Sequence, residues 1–68
     1  MNERDCWTLD AMEKYGGSFV KCLAALARHA DVINLNKIKT TWLDYWDEYE
    51  RIGIGMETEK ENKNIENN

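Results

Sequence analysis

The 68-residue chain has no proline, two cysteines and one histidine, and no apolar run approaching the ~20 residues of a membrane span. Each shortage excludes something. Cys6 and Cys22 are too few for the multi-bridge framework of a secreted mini-protein, so free thiols in a reducing compartment are expected, with a single disulfide as the alternative. Without a Cys-x-x-Cys, a histidine pair or a calcium loop, no metal site is expected. Phosphate-loop and dinucleotide patterns are also missing, so no cofactor is expected. His29 follows Cys22 by seven positions on one predicted helix, a rise of roughly 10.5 Å, which is too far for the two to share a proton. No activated nucleophile beside a base remains, and the chain reads as a non-enzyme. The start, Met1-Asn2-Glu3-Arg4-Asp5, is charged and carries no apolar signal region, which points to the cytoplasm.

Strand signals are equally scarce, with no alternating run and no Asn-Gly or Asp-Gly hairpin turn. Helical periodicity is strong instead. Trp7, Ala11 and Tyr15 recur at i, i+4 and i+8, widened by Met12, and predict a first helix from about residue 6 or 8 to 15. Gly16 suits the left-handed position past its C-terminus. Ser18 is the natural N-cap of a second helix over 19–30. Phe19, Leu23, Leu26 and Ala30 mark that helix's core stripe, and Lys21 and Arg28 lie opposite. Asp31 caps a third segment with Val32, Leu35 and Ile38 as its apolar side. Thr40-Thr41 is a β-branched pair with capping chemistry and favours a break there, although the stripe Leu35, Ile38, Trp42, Trp46, Tyr49 leaves one continuous helix open. Gly53-Ile54-Gly55-Met56 loosens the chain, and the polar segment that follows cannot bury enough surface to offset its ordering entropy.

These readings give one all-α domain. Residues 1–5 form a flexible N-terminus, 6–52 a compact bundle of three to four short helices, and 53–68 a disordered acidic C-terminal tail. At this size a core rarely supplies more than ~3–5 kcal/mol.

Aromatic residues are concentrated rather than abundant. Four of the seven lie within residues 42–49, interleaved with Asp44, Asp47 and Glu48. On a helical wheel Trp42, Trp46 and Tyr49 centre an apolar arc that Leu43, Tyr45 and Ile52 widen to half the circumference. A helix packing on one neighbour needs only ~100°. Trp46 therefore belongs to the core. Trp42, Leu43, Asp44, Tyr45, Asp47, Glu48 and Ile52 form a candidate protein interface of aromatic anchors with a charged rim. The three acids could attract a divalent cation weakly, but a solvated face explains them better.

Charge is segregated along the chain, whose net value is −4. Lys14, Lys21, Arg28, Lys37 and Lys39 form a candidate basic face that could neutralise phosphates if they converge, although no clear recognition helix emerges. Gly16-Gly17-Ser18 followed by Lys21 could hold an anion at a helix N-terminus, yet a glycine turn accounts for it without a ligand.

Tyr15-Gly16-Gly17-Ser18-Phe19-Val20-Lys21, the Leu-Ala-rich helix after it, Ala30-Asp31, and Lys37-Ile38-Lys39-Thr40-Thr41-Trp42 with Tyr45-Trp46 resemble a group of small helical proteins of phages and prophages. The resemblance covers about residues 12–49 and brings no biochemical activity with it. Such proteins often read Trp-Pro-Glu-Tyr-Trp where this chain has Leu43 in the proline position, and proline suits the first turn of a new helix. The resemblance implies an accessory protein in the cytoplasm of a bacterial host, acting by protein–protein interaction and capable of modulating a host or defence factor. The alternative is a small nucleic-acid-binding protein using the basic face of the second helix. A homodimer is a further arrangement, because that basic face could meet the acidic face of the last helix in a second copy.

Overall fold

Asn2 opens the first helix, its side-chain oxygen accepting from the Asp5 N–H at 2.8 Å. Glu3 and Asp5 place negative charge in the first turn, where the helix dipole favours it. This is α1, Glu3–Tyr15. In the computed structural model the backbone is described for residues 1–66 and the side chains for residues 1–60. The expected flexible N-terminus is thereby corrected: a cap and an acidic first turn start the helix before its apolar stripe begins, and Asp5 is buried.

The turn after α1 is tight. Gly16 is extended (φ −76°, ψ 155°), not left-handed as the sequence suggested. Its small size matters for another reason: a Cβ there would come within 2.5 Å of both the Met12 carbonyl oxygen and Val20 Cγ1. Gly17, not Ser18, is the N-cap residue of α2 (Ser18–Arg28), its carbonyl accepting from the Lys21 N–H at 2.9 Å. The second helix folds back along the first, bringing Arg28 to Asp10 and Glu13.

Asp31 caps α3 (Val32–Thr41) as expected, accepting from the Asn34 N–H at 2.8 Å. The break falls just past Thr41. Trp42 leaves helical geometry at φ −114°, ψ 47°. Its N–H still donates to the Ile38 carbonyl (3.0 Å), and its own carbonyl accepts from the Trp46 N–H (2.9 Å). One residue therefore closes α3 and opens α4, Leu43–Glu66. Leu43 is the first helical residue of α4, the position at which a proline fits.

The expected tail boundary is corrected as well. Gly53-Ile54-Gly55-Met56 continue α4, which runs on to Glu66. The physical reason lies at Gly53, which is buried against α1: a Cβ there would sit 2.5 Å from the Trp7 carbonyl oxygen. Glycine costs a helix about 1 kcal/mol relative to alanine, but here it allows two helices to cross at backbone contact. The last part of the tail expectation, residues 67–68, lies outside the described residues.

Among the described residues the architecture is four helices and no strand. Arg4 reaches Glu50, Trp7 meets Gly53, and Tyr15 lies near Met56, so α1 and α4 run in the same sense along a shared seam. The core takes Leu9 and Met12 from α1, and Val20, Leu23, Ala24 and Ala27 from α2. Leu35 and Ile38 of α3 and Trp46 of α4 complete it. Trp46 is 1 % exposed and is the largest fully buried side chain, so it anchors the core as expected.

Candidate functional site

Two faces of α2 compete for the core, and the smaller side chains win. Val20, Leu23, Ala24 and Ala27 are buried at i, i+3, i+4 and i+7. The stripe expected from size fails at two of its four members: Phe19 is 55 % exposed and Leu26 54 %. The cause is the short distance between α1 and α2, fixed at one end by Gly16 and at the other by Arg28. Alanines fit that spacing. Phe19 and Leu26 point instead to the side where α3 hands over to α4.

There they meet part of the predicted interface. The Phe19 ring lies 6.2 Å from Trp42, edge-on, and 5.7 Å from Tyr45. Phe19, Cys22, Leu23, Leu26 and Trp42 line one apolar hollow. Leu26, Ala30, Ile38 and Trp42 continue it into a groove of about 260 Å³ between α2 and α3, edged by His29, Asn34, Lys37 and Thr41. Leu43, Asp44 and Tyr45 surround a third hollow beside Trp42. Tyr45 is 40 % exposed, and Leu43 is exposed too. The result is a contiguous apolar face with Trp42 at its centre. A contiguous face differs from singly scattered apolar residues, which are normal on a protein surface.

The other predicted interface residues are distributed around this face. Asp44 and Glu48 stand one and three positions from Tyr45 and, with Asp47, line a shallow acidic cleft together with Glu50 and Arg51. Ile52 is half-buried, as is Tyr49. Among the described residues no group of three acidic, histidine or cysteine side chains is arranged to hold a metal ion. Cys6 is half-buried and Cys22 exposed, and both are free thiols.

The candidate basic face does not stay together. The Arg28 guanidinium donates through Nε to Glu13 Oε2 at 2.6 Å and through Nη2 to Glu13 Oε1 and Asp10 Oδ1, each at 3.0 Å. This fork fastens α2 to α1. The hydrogen bond from Arg28 holds the Glu13 carboxyl below its ordinary value of 4.5, with partial burial opposing and charge attraction reinforcing the shift. The same pairing raises Arg28. Lys39 donates to Asp5 Oδ1 at 3.0 Å, and its ammonium lies 5.3 Å from the centroid of the Trp46 ring. Lys14 lies over Tyr15 at 5.4 Å. Among the described residues Lys21 and Lys37 make no ion pair, and of the five cations only Lys37 borders the apolar face.

Trp42 and Tyr45, candidate interface residues from the sequence, thus share one apolar face with Phe19 and Leu26, which the sequence assigned to the core. A signal was present. Val20, Leu23, Ala24 and Ala27 also form a complete helical stripe, and the Gly16-Gly17 turn announces a neighbour close enough to prefer it. No protein-family model, no curated protein and no solved structure matches the chain. Among the described residues no helix is long and apolar enough to cross a membrane.

Proposed function

We propose that this chain is a non-catalytic accessory protein that acts by docking a protein partner on the face built from Phe19, Leu26, Trp42 and Tyr45. One observation carries the reading: Phe19, Leu26 and Tyr45 gather around Trp42 with an open side, so that these large apolar side chains form one continuous face. Aromatic anchors beside Asp44 and Glu48 have the composition of an interface centre with a charged rim. The resemblance to phage and prophage proteins supplies the setting, the cytoplasm of a bacterial host, and a host or defence factor as the kind of target.

Nucleic-acid binding is the weaker reading. Arg28 and Lys39 are engaged by carboxylates of α1, which leaves three of the five cations of the candidate basic face for the phosphate contacts that drive such binding. The test uses the tagged protein on host lysate in parallel with a mobility-shift assay over a salt series. Specific capture of a protein that Tyr45→Ala and Leu26→Ser abolish, with both variants folded, is the expected result. A nucleic-acid shift that weakens steeply with salt and disappears on Lys21→Glu/Lys37→Glu would replace the docking reading.

A further inference from the structure

The rim of the apolar face is not uniform in charge. Three hollows adjoin at Trp42. The groove on the α2–α3 side is edged by Lys37, whose ammonium has no ion-pair partner among the described residues. The hollow on the α4 side is edged by Asp44, with Glu48 one turn further along. Asp44 and Glu48 likewise have no cationic partner among the described residues. The face thus has a cationic end, an apolar middle and an anionic end.

A uniformly acidic rim would call for a basic partner. A rim with opposite charges at its two ends fits itself. A twofold axis passing near Trp42 turns the face through a half rotation, sets apolar middle on apolar middle, and brings the Lys37 end of each copy to the Asp44 end of the other. Isologous interfaces, the commonest kind among soluble oligomers, have this self-complementary character. We infer that the occupant of the face is a second copy of this chain, and that the protein is a twofold dimer joined through Phe19, Leu26, Trp42 and Tyr45 with reciprocal Lys37–Asp44 pairing. The basic residues of α2 take no part, since Arg28 is engaged by Glu13 and Asp10.

This inference rests on the docking reading for the face itself and assigns that face to a second copy in place of a host protein, and the experiment separates the two. Mass is measured by sedimentation equilibrium on the full chain, at concentrations up to about 1 mM, for the wild type and for variants shown by circular dichroism to be folded. The wild type should be dimeric and Leu26→Glu monomeric. Lys37→Glu and Asp44→Lys, each alone, should weaken association by at least about tenfold, because like charges then face each other twice across the axis. A one-to-one mixture of the two variants should associate again, since both contacts in the mixed dimer recover opposite charges. A head-to-tail contact would be rescued too, but its mass would climb past two copies as concentration rises, whereas a twofold arrangement stops at the dimer. A dimer indifferent to all three substitutions would place the interface elsewhere. A monomeric wild type that still loses its captured protein on Leu26→Glu would overturn the second copy and leave the docking reading in place. A monomer whose binding ignores Leu26→Glu would overturn both.

Discussion

The two flanks of α2 use opposite means of packing. Toward α1 it presents alanines and Val20, with glycine at the turn and the Arg28 fork at the far end, and Val20, Ala24 and Ala27 are buried. Toward the α3–α4 junction it presents Phe19 and Leu26, and both remain half open. The lesson is that residue size does not decide which face is core. Small side chains allow backbones to approach, and close approach excludes water from every atom along the seam. Phe19 and Leu26 meet no such close neighbour and stay in part available.

Four measurements can break or sharpen this contrast. The largest effect is expected at Trp46, where the seams converge. Trp46→Ala should cost ~3–5 kcal/mol, comparable to the whole stability of a domain this small, and leave the chain largely unfolded by circular dichroism. Trp46→Phe should cost much less, because the buried indole Nε1–H has no protein hydrogen-bond partner to lose. Next, Lys39→Met leaves the buried Asp5 carboxylate without its cation, and a hydrogen bond to a charged group is worth ~1.5–3 kcal/mol in urea denaturation.

The glycines of α4 then test close approach directly. Gly53→Val should destabilise by ~1–3 kcal/mol through overpacking against Trp7. Gly55→Ala, in open space on the same helix, should stabilise by up to about 1 kcal/mol. If both were neutral, the α1–α4 crossing would not be as tight as described. The smallest effect concerns pH. Glu13 has a folded value below its ordinary 4.5, so the stability it contributes is present above that pH and is lost as acid takes the pH down through the lowered value. The difference in melting temperature between wild type and Glu13→Gln should accordingly shrink below pH 4.5. The pair is partly solvent-exposed and salt-screened, so the change is a small one.

Much of this arrangement was legible from the residues. The Asp31 cap, the break beside Thr40-Thr41 and the burial of Trp46 all follow from local chemistry or a periodic stripe, and each is found. The misreadings share a cause: they turn on how near another element comes. Gly53 reads as a helix breaker until Trp7 is placed against it. Asp5 reads as part of a solvated end until Lys39, 34 residues later, reaches it. Phe19 reads as core until Gly16 draws α2 against α1 on its other side. For the candidate site, the aromatic segment announced Trp42 and Tyr45, but its partners on α2 became visible only once the handover at Trp42 was known.

The seam between α1 and α4 also sets an order of events during synthesis. The first helix leaves the ribosome with its packing surface uncovered, because Glu50 and Gly53 are still to be made. Neither the hairpin of α1 and α2 nor the short α3 can supply Trp46. A nascent chain halted at Arg51 would hold three helices and the indole but not the glycine that seats α4 on Trp7. Folding is therefore deferred until the middle of α4 has emerged, and such a chain should behave as one cooperative unit with no stable partial product.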